Sequence, residues 1–318
     1  MIKVGLIGCG KISADHVSAF EKLEDAKIVV ACDLNEENLS AVVEKTGAKA
    51  YKDYKEMLSE EKLDLAVITL PHFLHCEATC AAAEHGVNVF IEKPMGMSVS
   101  ECEKMIDVCE KNNVMLWVGD PQRYHGGNIV AKELINSGEY GELIAISETR
   151  CTNYFAGWRP KWFLSKKTSG GGILMNLGSH TIDRMKYLTD SDFCEIHGKI
   201  HIREGYDIED TAQVLGVMEN GVSVSINLSG NAESGHYATY LYLTGGEIRI
   251  TAYCSRVSAC KADGVFKDID VPYEESAMNA QIVDVIQALK SGEKPTVSGE
   301  YGKEVIRVIE HIYKEVKF

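Results

Sequence analysis

An apolar run that stops in a glycine turn, followed by an acid where a second apolar run stops, constrains this chain more than any other feature. Ile2-Lys3-Val4-Gly5-Leu6-Ile7 reads as a buried strand, and Gly8-Cys9-Gly10-Lys11-Ile12-Ser13 turns it into a helix reaching about Leu23. Val29-Val30-Ala31-Cys32 is a second strand with Asp33 at its end. Each part has a mechanical reason. Gly8 permits the tight turn, and Gly10 has no Cβ to hold a pyrophosphate away. The helix start offers N–H groups and a positive dipole end to phosphates. Asp33 follows Ser13 by ~20 residues, the distance at which a carboxylate accepts from both ribose hydroxyls. Ser13 replaces the third glycine of the pattern and is still small enough for close helix–strand packing. Dinucleotide binding is the expected function of this segment. A 2′-phosphate would be repelled by Asp33, and Leu34-Asn35 brings no arginine to offset that, so NAD is expected over NADP.

The pattern then alternates. Helices are expected near 35–45 and 54–60, an extended piece at 48–51, and strands at Leu65–Thr69, Val87–Ile91 and Val114–Val118. Gly86 is expected to stop one helix, and Ser98 with Glu101 to open another as a capping box. Such alternation gives a parallel sheet covered on both faces, with ligands at the carboxyl ends of its strands. That rule gathers Asp33, Pro71, Glu92, Lys93 and Gln122 around one crevice. Past Gly119 the character changes. Helices are expected at 126–137 and from Ile173 to Leu188, and residues 193–271 are strand-rich, with turn signals at Asn220-Gly221 and Gly245-Gly246. Two helices, near 276–291 and 301–316, close the chain. The reading is therefore two domains. Residues 1–120 bind the nucleotide, and residues 121–318 form an α+β domain on a mostly antiparallel sheet that binds substrate and mediates oligomerisation.

Composition excludes several alternatives. The formal net charge of −14 and the lack of a basic run argue against nucleic acid and anionic membranes. No apolar stretch approaches the ~20 residues of a membrane span, and the first strand, starting at Ile2, leaves no room for a leader. Ten cysteines without a C-x-x-C pair suggest a reducing, cytoplasmic setting. His72, His75, Cys76 and Cys80 have a spacing conceivable for zinc, but the cysteines continue an alanine-rich helix, and no metal is expected.

A nicotinamide cofactor needs a neighbouring acid/base group and something to orient the reacting oxygen. Lys93 stands at a strand end on the cofactor side. In Gly170-Gly171-Gly172-Ile173-Leu174-Met175-Asn176-Leu177-Gly178-Ser179-His180-Thr181-Ile182-Asp183, a helix would align Asn176, His180 and Asp183 along one face. A polar stripe of that kind is costly to bury unless it lines a site. The loop from Asn153 to Phe163 holds Tyr154, Trp158 and Trp162, whose faces suit sugar C–H groups, while Arg159 or Lys161 could meet an anion.

Gly8-Cys9-Gly10 with Asp33, Glu92-Lys93-Pro94, and Gly170-Gly171-Gly172 running to His180 and Asp183 resemble the Gfo/Idh/MocA family. The resemblance covers almost the whole chain, including Gln122-Arg123-Tyr124 and Pro295-Thr296-Val297-Ser298-Gly299. It implies a doubly wound Rossmann domain followed by an open-sheet α+β domain, and an NAD(P)-dependent oxidoreductase acting on a sugar, cyclitol or related compound. Lys93 matches the family lysine that contacts substrate and nicotinamide ribose, and His180 its proposed catalytic histidine. Asn176 stands where many members have aspartate. An amide cannot take a proton, so His180 would act without that carboxylate and Asn176 would hydrogen-bond the substrate.

The substrate set is then Lys93, Asn176, His180, Asp183, Tyr154, Arg159 and Trp162. The cofactor set is Gly8, Gly10, Lys11, Ile12, Asp33, Leu34, Leu70, Pro71, His72, His75, Glu92, Lys93, Gln122 and Arg123. A homodimer or homotetramer through the C-terminal sheet is expected. Two rivals share the scaffold: a glycosidase that oxidises transiently and returns the hydride, and a non-catalytic NAD-binding regulator.

Overall fold

Short apolar runs bounded by glycine or proline cannot cover both of their own faces, and the helices between them do so. The computed structural model describes residues 1–273 and 276–318. Its first part runs β1 (Ile2–Ile7), α1 (Ser13–Phe20), β2 (Ala26–Cys32), α2 (Glu36–Thr46), β3 (Lys49–Tyr51), α3 (Tyr54–Glu60), β4 (Leu65–Ile68), α4 (His75–Glu84), β5 (Asn88–Glu92), α5 (Val99–Lys111) and β6 (Leu116–Gly119). All six strands are parallel, in the order β3-β2-β1-β4-β5-β6. The order reverses between β1 and β4, which is where such sheets open a ligand crevice at their carboxyl ends.

Local chemistry sets the boundaries. Asn35 accepts from Asn38 N–H at the start of α2, and Gly47, at φ +70°, ends it. Gly86, at φ +74°, follows α4 in the same way. Ser98 caps α5 by accepting from Glu101 N–H at 3.3 Å. The reciprocal half of the box is displaced by one residue, because Glu101 Oε2 accepts from Met97 N–H at 2.8 Å.

The second part runs α6 (Gly126–Asn136), β7 (Leu143–Asn153), α7 (Lys166–Ser169), α8 (Ser179–Thr189), β8 (Phe193–Ile202), β9 (Glu209–Met218), β10 (Ser223–Ser229), β11 (Asn231–Leu243), β12 (Gly246–Thr251), β13 (Arg256–Lys261) and β14 (Lys267–Ile269). Its sheet is ordered β14-β13-β12-β11-β7-β10-β9-β8. Every described pairing is antiparallel except β7 with β10. Ile146, Val214, Ile226, Leu241 and Ile250 form part of its buried face.

Two helices, α9 (Ala277–Ser291) and α10 (Gly299–Glu315), close the chain. They revise the domain boundary. The chain divides into one unit of Met1–Asp120 with Met278–Ile306 and another of Pro121–Ala277 with Arg307–Phe318. A second domain running unbroken over 121–318 is therefore not what forms. Ile282, Val285 and Ile286 of α9 belong to the same core as Val4, Leu6, Phe90 and Trp117. Val297 and Ser298 lie along the outer edge of β6, where Val118 N–H donates to Val297 O at 2.9 Å. Covering that edge removes a row of unpaired backbone groups.

Candidate active site

In the first unit the glycine turn is built by close approach. Gly8 sits at φ +98°, and a Cβ there would lie 2.8 Å from the Thr69 carbonyl group. A Cβ on Gly10 would meet nothing within 4 Å. The turn is thus tight on its inner side and open above Gly10. Asp33, half-buried at the end of β2, faces this turn. Its Oδ2 accepts from Cys9 N–H at 2.6 Å and its Oδ1 from Asn35 N–H at 2.7 Å. Each carboxylate oxygen retains a lone pair for a further donor. Lys11, Ile12 and Leu34 are exposed around the turn, Leu34 by 85%.

The β4 and β5 ends hold the other cofactor candidates, and several of them also brace the strand ends. His75 is fully buried, with Nδ1 2.9 Å from Pro94 O and Nε2 2.8 Å from Leu70 O. Burial holds its pKa below the ordinary value, against the pull of both carbonyls. A neutral ring donates to one of them and abuts the other. His75 therefore ties the two strand ends together. His72 is buried beside it, with ring centroids 5.6 Å apart, while Pro71 remains half-buried. Among the described residues no group of three or more histidine, cysteine or acidic side chains could hold a metal ion.

Glu92 is also interior. Its Oε1 lies 2.8 Å from Nε2 of the wholly buried His16, and its Oε2 accepts from Lys93 N–H at 3.2 Å. The carboxylate accepts only, so Nε2 carries the proton. Nδ1 of His16 is buried without a hydrogen-bond partner among the described residues. Glu92 thus fixes the backbone of Lys93, whose half-buried side chain leaves the strand end just before a cis Lys93–Pro94 bond. The sequence reading missed His16. Its signal was a histidine on the inward row of α1, beside Ser13, Val17 and Phe20.

In the second unit the triple glycine is required by contact more than by dihedral freedom. A Cβ on Gly172 would fall 1.9 Å from Glu209 O, and one on Gly171 2.0 Å from the Tyr313 hydroxyl. The buried carboxylate of Glu209 accepts from Gly172 N–H at 2.8 Å, Leu174 N–H at 2.9 Å and Tyr313 O–H at 2.8 Å. Desolvation outweighs those donors and holds its pKa above the ordinary carboxylate value. Glu209 thereby anchors the helix start, a role that no local motif marks.

The helix then departs from a regular α winding. Leu174–Gly178 forms a π turn before α8 continues to Thr189. Such turns bond i to i+5 and shift every later side chain around the axis. Asn176 lies within this turn, and His180 and Asp183 follow it on α8. Asn176 is buried, with Nδ2 donating to the Tyr154 hydroxyl at 3.4 Å. His180 is half-buried. Asp183 is wholly buried, and its Oδ2 accepts from Gln122 N–H at 3.3 Å.

Tyr154 is also wholly buried, its hydroxyl donating to Gly172 O at 3.3 Å. Arg159 lies over its ring at 3.9 Å and donates from Nε to Tyr154 O at 2.6 Å. Trp162 is half-buried and stacks on Phe163 at 3.7 Å. Tyr154 is thus a floor beneath the loop, while Arg159 and Trp162 keep partial exposure.

Gln122 and Arg123 were expected at the cofactor. The side-chain oxygen of Gln122 accepts from Arg184, which is itself buried. Arg184 also donates to Glu148 at 2.6 Å, Asn128 at 3.1 Å and Cys254 Sγ at 3.3 Å. Thr181 and Thr239 complete the Glu148 carboxylate. A buried pair of this kind is tolerable because both carboxylate oxygens have hydrogen-bond donors. Arg123 lies 5.7 Å from the centre of the Tyr187 ring.

Comparison with known proteins places these features. Residues 2–120 match the model described as "Oxidoreductase family, NAD-binding Rossmann fold", and residues 129–259 match the GFO/IDH/MocA C-terminal domain. The chain is 30% identical over 240 residues to glucose-6-phosphate 3-dehydrogenase of Bacillus subtilis, covering 71% of this chain and 67% of that protein. It is 26% identical over 316 residues to myo-inositol 2-dehydrogenase of Thermotoga maritima, covering 95% and 92%. With two further curated relatives the match spans about half of their length. Among solved structures, levoglucosan dehydrogenase in complex with NADH and levoglucosan superposes with a TM-score of 0.91 at 20% identity, covering 99% of this chain and 97% of that one. No helix among the described residues is long and apolar enough to cross a membrane.

Proposed function

The chain belongs to the Gfo/Idh/MocA family of oxidoreductases, and from that premise we propose that it is an NAD-dependent dehydrogenase of a sugar, polyol or sugar derivative. Asp33 beside the glycine turn is the observation that carries this reading. The turn is open above Gly10, where a side chain would otherwise obstruct a pyrophosphate, and Asp33 keeps lone pairs for ribose hydroxyls. The negative charge of Asp33, followed by Leu34 and Asn35, favours NAD over its 2′-phosphorylated counterpart. Lys11, Ile12, Leu70 and Pro71 complete the cofactor contacts of this unit.

NAD, when bound, accepts hydride from a hydroxyl-bearing carbon. His180 takes the hydroxyl proton on a ring nitrogen, as an imidazole can near neutral pH. Lys93, with its backbone held by Glu92, supplies an ammonium donor to the substrate. The Asn176 amide orients the substrate through hydrogen bonds, and Arg159 and Trp162 contact its far end. Tyr154 holds Asn176 and Arg159 in place. The named activities of the Bacillus and Thermotoga relatives support a sugar or cyclitol as substrate. A homo-oligomer in the cytoplasm completes the proposal. Its support is the outer face of the sheet, where Leu215 is 65% and Tyr242 39% exposed.

The test is reduction of NAD across a panel of polyols, sugars and sugar derivatives. Lys93→Ala and His180→Ala are each expected to lower kcat by about 10²–10⁴-fold, the contribution of a positioned acid–base group. NAD affinity, read by fluorescence titration, should change far less. Unchanged turnover in both variants would end the assignment, and glycoside cleavage without net NADH would replace it with the transient-oxidation chemistry.

A further inference from the structure

We propose that Arg159 forms an anion subsite and that the substrate is a sugar or polyol derivative bearing a carboxylate or phosphate. The subsite itself stands on this loop alone; that the bound sugar is oxidised rests on the dehydrogenase reading above.

The argument turns on how Arg159 is held. Its guanidinium lies 3.9 Å from the centre of the Tyr154 ring, 5.2 Å from Trp158 and 5.2 Å from Phe163. Arginine has five N–H donors. One, on Nε, is spent on the Tyr154 carbonyl. Among the described residues the other four have no acceptor, and no carboxylate pairs with the cation. Partial burial in this aromatic setting pulls its pKa below the usual arginine value.

Such an arrangement is not for want of acids, since the chain has 47 aspartates and glutamates against 33 lysines and arginines. Arg184 shows how this fold treats an arginine that serves structure alone: Glu148, Gln122, Asn128 and Cys254 all receive its hydrogen bonds. A loop staple would explain the Nε bond and the stacking at Arg159. It would not explain a half-desolvated charge left without a counter-ion, which costs stability unless an anion arrives.

The geometry also suits a sugar acid or sugar phosphate. A guanidinium edge matches two oxygens of a carboxylate or phosphate. One phenol ring separates this cation from the amide proposed to hold the substrate: Arg159 covers the Tyr154 face, and Asn176 donates to the Tyr154 hydroxyl. Trp158, 64% exposed on the same loop, offers a face to sugar C–H groups.

The experiment compares glucose, glucuronate and glucose 6-phosphate as probes, with wild type, Arg159→Met and Arg159→Lys. Two readouts are taken: kcat/KM for NAD reduction, and ligand-induced shift of the melting temperature with NAD present. The wild type is expected to prefer a charged probe over glucose by at least about tenfold in either readout. Which charged probe wins identifies the anion. Arg159→Met should cut that preference at least about tenfold, and Arg159→Lys should restore part of it. Equal response to charged and neutral probes in the wild type, or a preference that survives Arg159→Met, overturns the subsite. Charge-selective melting shifts lost in Arg159→Met, without NADH from any probe, would uphold the subsite while counting against the dehydrogenase reading. NADH formed without charge preference would do the reverse.

Discussion

At the scale of single residues, Asp33 carries the most testable weight. Asp33→Asn removes the charge but leaves an oxygen able to accept from Cys9 N–H. The ratio of NADP to NAD affinity should therefore rise by about tenfold or more, the effect of deleting one like charge beside a phosphate; parallel titrations with both cofactors measure it. His125 gives a prediction in pH. Burial, with Arg184 and Arg150 nearby, pulls its pKa down to about 4. A base with a depressed folded pKa stays neutral in the fold while the unfolded chain binds a proton from its ordinary pKa downward. Its contribution is present above ~6.5 and is lost as pH falls towards about 4, by no more than about 3 kcal/mol. The fall in urea midpoint between pH 7 and pH 5 should be smaller in His125→Gln than in wild type. Residue identity alone singled out Asp33, Lys93 and His180 as candidates, because glycine turns, strand ends and short motifs are local. It could not reveal that His75, Glu92, Gln122 and Tyr154 face inward, since their partners lie from 5 to 76 positions away in sequence.

At the scale of elements, the alternation of the first 120 residues was legible because each buried parallel strand is a short apolar run between turn residues. The π turn at Leu174–Gly178 was not. Periodicity of 3.6 fits its sequence equally well, and the Glu209 and Tyr313 contacts at this helix start lie outside any window of sequence around it. Glu209 is where this can be tested. Glu209→Ala leaves the N–H groups of Gly172 and Leu174 and the Tyr313 hydroxyl buried without their acceptor. A stability loss of at least about 3 kcal/mol is expected, from about one to three kcal/mol for each of the three groups. Glu209→Gln, which keeps one acceptor oxygen, should lose less. Equal urea midpoints for Glu209→Ala and wild type would show that the helix start is held by other means. A drop in kcat larger than the drop in stability explains would tie the anchor to His180.

At the scale of the whole molecule, the sequence disclosed two domains and the kind of sheet in each, but not where the last helices go. Amphipathic spacing in α9 says that one face is covered without saying by which sheet, and only the packing of Ile282, Val285 and Ile286 against Phe90 and Trp117 decides it. Residues 1–120 expressed alone should consequently bind hydrophobic dyes and unfold without a sharp urea transition. Adding residues 278–306 back through a flexible linker should restore cooperativity, and a sharp transition in the shorter piece would refute this. The arrangement also governs the order of events during synthesis. A nascent chain can pair its first six strands early, yet one wall of their interior is encoded more than 150 codons later. Until that wall emerges from the ribosome, the nucleotide fold waits half-sealed, and a stop codon anywhere in the intervening stretch disables both units at once.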